Sequence, residues 1–334
     1  KGDGNIFKNN MRPPIDIDSV PIPDWDLFEA GSLYRPMQGK IWRAVGFETQ
    51  RGCPYTCTFC NSPSNNVEYK SETGGKFHRK KSIERMKKEL DFLVKKYDPN
   101  LIYFVVDTFL AMSNREFDEL KELYSDYKIP FWMNTRAETI NEYRAAGLAE
   151  MNMLRMNIGI EHGNYEYRRN YLKRNVKNEV QIRAFQIAAE HDYASCANSI
   201  IGMPDETRDL IFDTINFVRE LPDSIDATGA FIFAPYHGTP LRDLAIRKGY
   251  INDDEICSLS NTSESMLRMP TITKSEIQGL AKTFSLYTKF PKERWPEIKI
   301  AESDSAEGTK MMEKLGKEFD SIYRQFPKGT DLHD

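Results

Sequence analysis

Six apolar, β-prone runs, each ending at a polar or charged residue, alternate with amphipathic stretches between residues 42 and 240. The runs are Ala44–Thr49, Leu101–Val106, Phe131–Thr135, Leu154–Ile160, Ser195–Ile201 and Thr228–Ala234. Five are followed by a helical pattern, over 82–96, 114–127, 140–146 (closed by Gly147), 178–191 and 207–221. In 82–96 the residues Ile83, Met86, Leu90, Leu93 and Val94 fall on one helical face behind Ser82, a good N-cap. The continuous run Leu101–Val106 suits a strand covered on both faces. Such alternation requires a parallel sheet with right-handed crossovers, either open or curled into a barrel, and spacing alone does not decide between the two. In either form, function gathers where the strands end. Those ends carry a cysteine loop, Asp107, Arg136, Glu161, Gly202–Glu206 and Tyr236–Thr239.

The first run delivers Arg51-Gly52-Cys53-Pro54-Tyr55-Thr56-Cys57-Thr58-Phe59-Cys60. Three of the five cysteines thus lie within eight residues, too close for a secreted disulfide framework. A structural zinc site needs four protein ligands, usually from two CxxC-like pairs, and no second pair exists. Neither His78 nor His162 keeps a regular spacing to the loop. A cubane takes four ligands, so three cysteines fit a [4Fe–4S] cluster with one iron left open. The other two cysteines, Cys196 and Cys257, are isolated, and Cys196 in its strand-like run reads as a small buried residue.

Composition limits the alternatives. The chain has 334 residues and a net charge of −4, which gives no footprint for nucleic acid or an anionic membrane surface. No apolar run approaches the roughly 20 residues of a membrane span, and the polar start has no signal-peptide core. These features lead us to expect a cytoplasmic protein. Residues 1–40 read as an extended lead-in, with Pro21 and Pro23 disfavouring helix and Trp25 and Phe28 as anchors. The expected division is a lead-in over 1–40, a βα core over 41–250 and a helical extension over 251–334. The extension holds helices near 274–289 and 306–325 and an aperiodic run from 252 to 272. Residues 61–81 read as a long polar loop, and the basic cluster at 78–81 as a solvated helix start.

Cys53-x-x-x-Cys57-x-Phe59-Cys60 resembles the signature of the radical S-adenosylmethionine (SAM) superfamily, including the aromatic residue before the third cysteine. The longer match resembles its cobalamin-dependent branch: Pro21-Ile22-Pro23-Asp24-Trp25-Asp26, Arg51-Gly52-Cys53-Pro54, Gly159-Ile160-Glu161-His162-Gly163, Gly202-Met203-Pro204-Asp205-Glu206-Thr207 and Pro235-Tyr236-His237-Gly238-Thr239-Pro240-Leu241. It runs from about residue 17 to 250 and loosely to 300. Where relatives have paired aspartates this chain has Val106-Asp107; His162 stands for a common serine and His237 for a common proline.

The resemblance implies a partial (β/α)6 barrel. It implies a [4Fe–4S] cluster on Cys53, Cys57 and Cys60, and SAM bound to the open iron and cleaved to a 5′-deoxyadenosyl radical. It places Phe59 beside the adenine, Glu161 and Arg136 at the ribose or methionyl part, and Asp107 as a further contact. Gly202 would let the backbone approach the adenine side, with Ile200 packing nearby. Tyr236 completes the cofactor-binding set and, with His237, faces substrate. A small-molecule substrate and a reductant such as flavodoxin or ferredoxin follow as partners. The branch also carries an N-terminal cobalamin-binding domain. Residues 1–40 resemble the linker after it, and the chain starts at Lys1 without a methionine, so any cobalamin is expected through a domain outside this chain. Methyl transfer, rearrangement or cyclisation are the implied reactions. A cobalamin-independent radical SAM enzyme such as a methylthiotransferase is the alternative, and a non-catalytic iron–sulfur electron-transfer module is the alternative from another class.

Overall fold

The structure is a computed structural model that describes residue 4 and residues 9–191, 193–225, 227–257 and 264–323. Two short 3-10 turns, Trp25–Leu27 and Ala30–Leu33, lead into strand β1 (Tyr34–Met37), which pairs antiparallel with β2 (Lys40–Phe47). A two-residue strand β3 (Gln50–Arg51) opens the cysteine loop, helix α1 (Asn61–Thr73) follows it, and β4 (Arg79–Lys80) returns to pair with β3. The regular alternation continues through α2 (Ile83–Tyr97), β5 (Leu101–Phe104), α3 (Asn114–Tyr124), β6 (Phe131–Arg136), α4 (Glu142–Glu150) and β7 (Met153–Glu161). After α5 (Tyr165–Asn170) and α6 (Asn178–Ala189) come β8 (Ala194–Ile201), α7 (Arg208–Arg219), β9 (Ala227–Ile232) and α8 (Pro240–Arg247). Helices α9 (Lys274–Lys289), α10 (Trp295–Ala301) and α11 (Ala306–Tyr323) close the described chain.

Strands lie in the order β1-β2-β5-β6-β7-β8-β9, and the last six are parallel neighbours. A sheet whose parallel strands follow chain order is wound in one direction, so all crossovers lie on one face. The sheet curls away from them into a half-barrel, the partial (β/α)6 fold implied by the resemblance. Between sheet and helices lies an aromatic core: Phe104 is fully buried and meets Phe47, Phe109 and Phe131 with ring centroids 4.7–5.6 Å apart. Each such side chain contributes about 1.5–3 kcal/mol by leaving water. Helix starts are capped at the same end of the barrel. Ser82, Ser113, Asn141, Thr207 and Thr239 each accept a backbone N–H from their helix with the side-chain oxygen.

Four local expectations are corrected. The basic cluster at 78–81 is not a solvated helix start: Arg79–Lys80 form β4, and Lys81 is buried with its Nζ 2.9 Å from Glu89 Oε2. Residues 61–73 form a helix where a loop was expected. Its sequence, NSPSNNVEYKSET, has almost no apolar stripe, so periodicity could not reveal it; Cys60 caps its start and Gly74 in the left-handed region ends it. Gly147 does not close α4 but lies inside it, because a Cβ there would come within 2.6 Å of the Phe117 ring on α3. The glycine serves close helix packing, not termination. Helix α5 was not anticipated from its six mostly polar residues. In the lead-in, the Trp25 N–H donates to the Tyr97 hydroxyl at 2.9 Å and its ring packs on the core, while Phe28 stays 63% exposed. The expected helix end at 324–325 lies outside the described residues.

Gly163, two residues past β7, touches helix α7: an added Cβ would lie 2.6 Å from the Asp213 carbonyl oxygen and from the Thr214 Cα. These are backbone atoms and cannot swing aside. Gly163→Ala is therefore expected to destabilise the fold by about 1–3 kcal/mol, the cost of overpacking a rigid contact. Urea titration checks this, and an unchanged midpoint would contradict it.

Candidate functional site

The loop after β2 is pinned from several sides. The Thr58 N–H donates to the Leu172 carbonyl at 3.3 Å, and the Leu241 N–H donates to the Thr58 carbonyl at 3.1 Å. Asn66 Nδ2 donates to the Cys53 carbonyl at 2.8 Å. Gly52 has φ +82°, and a side chain there would meet Phe77 at 2.6 Å. The loop thus turns back over the end of β2 and directs its three cysteines inward. Cys53 and Cys57 are buried and Cys60 is partly buried, and all are free thiols.

The three line one cavity of about 830 Å³ at the carboxyl ends of the strands. Phe59, Asp107, Arg136, Glu161, Ile200 and Tyr236 line it too. Six residues expected at a cofactor therefore share one wall with the cysteines, although they come from distant parts of the chain. Two others do not line it. Gly202, with φ +78°, directs its N–H to Glu206 Oε2 at 2.5 Å, and a Cβ there would meet Ile277 of α9 at 3.0 Å. His237 is exposed, with its carbonyl accepting from Asn61 Nδ2 at 2.8 Å. His162 is fully buried, 3.0 Å from Glu206 Oε1 and stacked on Tyr167.

Each sulfur has a polar neighbour. Arg136 Nη1 donates to Cys57 Sγ at 2.9 Å, the Ser62 N–H donates to Cys60 Sγ at 3.4 Å, and Cys53 Sγ lies 3.4 Å from Thr108 Oγ1. Asp107 accepts from Ser62 Oγ at 2.8 Å. Burial pushes the Cys57 thiol above its usual range against the pull of Arg136, and burial likewise raises Cys60. Burial would lower Arg136, yet Cys57 and Glu138 hold its proton more firmly than usual. Its guanidinium also lies 3.9 Å from the Tyr55 ring centroid. Glu161, at the left-handed φ of +63°, accepts from Arg174 Nη1 at 2.6 Å; burial raises its carboxyl and Arg174 and Arg136 oppose that.

This donor set suits a cluster better than a single metal ion. Buried thiols resist ionisation unless cationic charge joins them. Among the described residues no group of three or more His, Cys, Asp or Glu side chains gathers to hold a single metal ion. A cubane makes no such demand, since each cysteine binds a different iron, and backbone and guanidinium donors to sulfur are groups that tune such clusters. The residues present fit the group.

Sequence reasoning missed several wall residues. Asn134, Asn157 and Asn198 sit mid-strand on β6, β7 and β8. Asn157 Nδ2 donates to Asn134 Oδ1, and Asn134 Nδ2 to the Tyr103 hydroxyl, both at 3.0 Å. A polar residue inside an otherwise apolar run was the available signal. Arg174 had none, because its position depends on the irregular path between α5 and α6.

Half-barrel, inward cysteine loop and strand-end cavity together define an α/β fold with a three-cysteine site at its strand ends. The Radical SAM superfamily matches residues 47–218, and the chain belongs to that superfamily. It is 31% identical over 251 residues to an uncharacterized methyltransferase of Pyrococcus horikoshii, covering 74% of this chain and 51% of the relative. It is 26% identical over 257 residues to the anaerobic magnesium-protoporphyrin IX monomethyl ester cyclase of Rubrivivax gelatinosus, covering 72% and 41%. The chain thus spans about half the length, or less, of these curated relatives. In fold it resembles the cobalamin-dependent SAM radical enzyme OxsB, with TM-score 0.54, 16% identity and coverage of 84% of this chain and 46% of that one. It also resembles the radical SAM methyltransferase TsrM of Kitasatospora setae, with TM-score 0.52, 14% identity and coverage of 83% and 61%. Enzymes of this superfamily use a [4Fe–4S] cluster and SAM, so membership implies these two cofactors. No helix among the described residues is long and apolar enough to cross a membrane.

The Arg174–Glu161 pair makes a measurable claim about the wall. Arg174 is 2% exposed at its side chain, so Arg174→Met leaves a buried carboxylate unpaired. The expected loss is about 3–5 kcal/mol in denaturant unfolding. Adding Glu161→Gln should recover part of it by removing the stranded charge. Equal stability of the single and double variants would show that the pair does not hold this wall.

Proposed function

We propose that this chain is the catalytic core of a radical SAM enzyme that holds its [4Fe–4S] cluster on Cys53, Cys57 and Cys60. We further propose that it acts with cobalamin, held outside these residues, in methyl transfer or a related radical rearrangement or cyclisation of a small molecule. The observation that carries the reading is the cavity wall: three cysteines line it, no fourth does, and six strand ends supply polar groups around them. Three protein thiolates leave one coordination position for a substrate-like ligand.

The chain's own residues have distinct tasks in this reading. Arg136 donates to the Cys57 sulfur and keeps positive charge beside it. The aromatic face of Phe59, with Ile200 across the cavity, suits the adenine of SAM; Glu161 and Asp107 offer carboxylates to its hydroxyl and ammonium groups. Tyr236, 44% exposed, stands at the mouth on the substrate side. Gly202 shapes the loop that Glu206 fastens and supports the wall from behind. Loaded with its cofactors, such a site supplies one electron to break a carbon–sulfur bond of SAM and so start radical chemistry. The protein's share is to orient SAM and keep water out.

The methyltransferase and cyclase relatives and the cobalamin-dependent folds support the cobalamin branch. Within this reading residues 1–40 are a lead-in, 41–250 the core and 251–334 a helical extension. The protein is cytoplasmic and takes electrons from a flavodoxin- or ferredoxin-like reductant.

Anaerobic reconstitution should yield about four irons per chain, and SAM should change the EPR signal of the reduced cluster. Cys57→Ala should abolish both SAM cleavage and that signal. Cleavage surviving the substitution, or a cluster indifferent to SAM, would sink the assignment. The cobalamin part is tested separately, by whether the coding sequence upstream of Lys1 specifies a cobalamin-binding module.

A further inference from the structure

A groove of about 360 Å³ lies on the outer side of the cysteine loop, between that loop, the segment after α5 and helix α8. Thr58 lines it, while its chain neighbours Cys57 and Phe59 line the inner cavity. Adjacent Cα atoms are only about 3.8 Å apart, so the loop is a wall one backbone thick between groove and cysteines. Thr58 is fixed in that wall by three hydrogen bonds. Its N–H donates to the Leu172 carbonyl, its hydroxyl donates to the Tyr171 carbonyl, and its own carbonyl accepts from the Leu241 N–H.

The groove carries Lys173, Arg247 and Lys248 against one acid, Asp205, in a chain whose net charge is −4. Asp205 is already occupied. It accepts from the Tyr171 hydroxyl at 3.0 Å and the Tyr250 hydroxyl at 2.6 Å, and it pairs with Lys248 at 2.9 Å. Lys173 and Arg247 are exposed, and neither forms an ion pair among the described residues. Apolar surface accompanies these charges: Leu244 lines the groove, and the Tyr171 ring is held flat on Tyr167, with centroids 4.4 Å apart and planes at 6°. A small apolar patch with a basic rim is the make-up of a brief protein–protein contact, and electron-carrier encounters are among the smallest of these.

We propose that this groove docks an acidic one-electron carrier protein, with Lys173 and Arg247 as the charges that hold it. Placement identifies the partner as a carrier. In the radical SAM reading, on which this proposal rests, SAM and substrate take the inner side of the loop, so an electron has to arrive from the outer side. A carrier seated in the groove lies directly against that side. It loses one electron and the cluster gains one, and no atom passes between them. Opposite charge steers such an encounter, and salt weakens it.

The test uses the full chain with its reconstituted cluster and flavodoxin, an acidic one-electron carrier, as the probe, with basic cytochrome c as the control. By isothermal titration calorimetry the wild type should bind flavodoxin and not cytochrome c. The double variant Lys173→Gln, Arg247→Gln should bind flavodoxin at least about fivefold more weakly, as should the wild type when salt rises from about 50 to about 300 mM. SAM cleavage driven by reduced flavodoxin should fall by a similar factor in the variant, while cleavage driven by dithionite, which needs no docking surface, stays at the wild-type rate. No binding of flavodoxin to the wild type, equal binding to the variant, or an equal loss with both reductants would overturn the docking site. If flavodoxin binding follows the two charges but the reduced cluster ignores SAM, the docking surface stands and the radical reading falls.

Discussion

A buried sulfur beside a buried guanidinium sets the terms for the upper rim of this barrel. From Cys57 the charges alternate through Arg136 at 2.9 Å, Glu138 at 2.6 Å, Arg174 at 3.8 Å and Glu161 at 2.6 Å. Each arginine is shared between two acidic or nucleophilic neighbours. Burial raises the Cys57 thiol and the Glu161 carboxyl toward their neutral forms, and the neighbouring guanidinium groups oppose that. The chain spans β6, β7 and the segment after α5, so it exists only because parallel register brings Arg136 of β6 opposite Gly159 of β7. Local charge balance and global topology are one constraint here. A slip of one residue in that pairing would turn Arg136 to the helix-covered face.

Much of this was legible in the sequence because it followed period and position. Six strands could be read from apolar runs, and the polar residue closing each run marked the rim, which is how Arg136, Glu161 and Asp107 came to be grouped before any geometry was known. Period fails where packing substitutes for it. Helix α1 has no apolar stripe, and its ends are fixed by Cys60 and Gly74, so it read as a loop. Gly147 looked like a stop because glycine commonly ends helices, whereas here it lets α3 approach. Arg174 was invisible for a third reason: its meaning lies entirely in a partner thirteen residues away around an irregular turn. Gly202 and His237, placed by motif, share strand ends with cavity residues without lining the cavity themselves.

The polar inner face of the sheet is the less expected feature. A half-barrel of parallel strands could fill its concave side with branched apolar residues, as closed barrels do. This one sets Tyr103, Asn134 and Asn157 side by side and satisfies them against one another. A hydrogen-bonded ladder of neutral groups tolerates either water or a polar ligand beside it, and it does not collapse the space as packed leucines would. Keeping that space open costs hydrophobic burial, and the convex side, with its aromatic core around Phe104, offsets the loss.

Charge at the cysteine end is mixed: Glu48, Asp107 and Glu161 share the wall with Arg51, Arg136 and Arg174. A zwitterion with ammonium, sulfonium and carboxylate groups is suited to such a wall, because groups of either sign find an opposite partner within it.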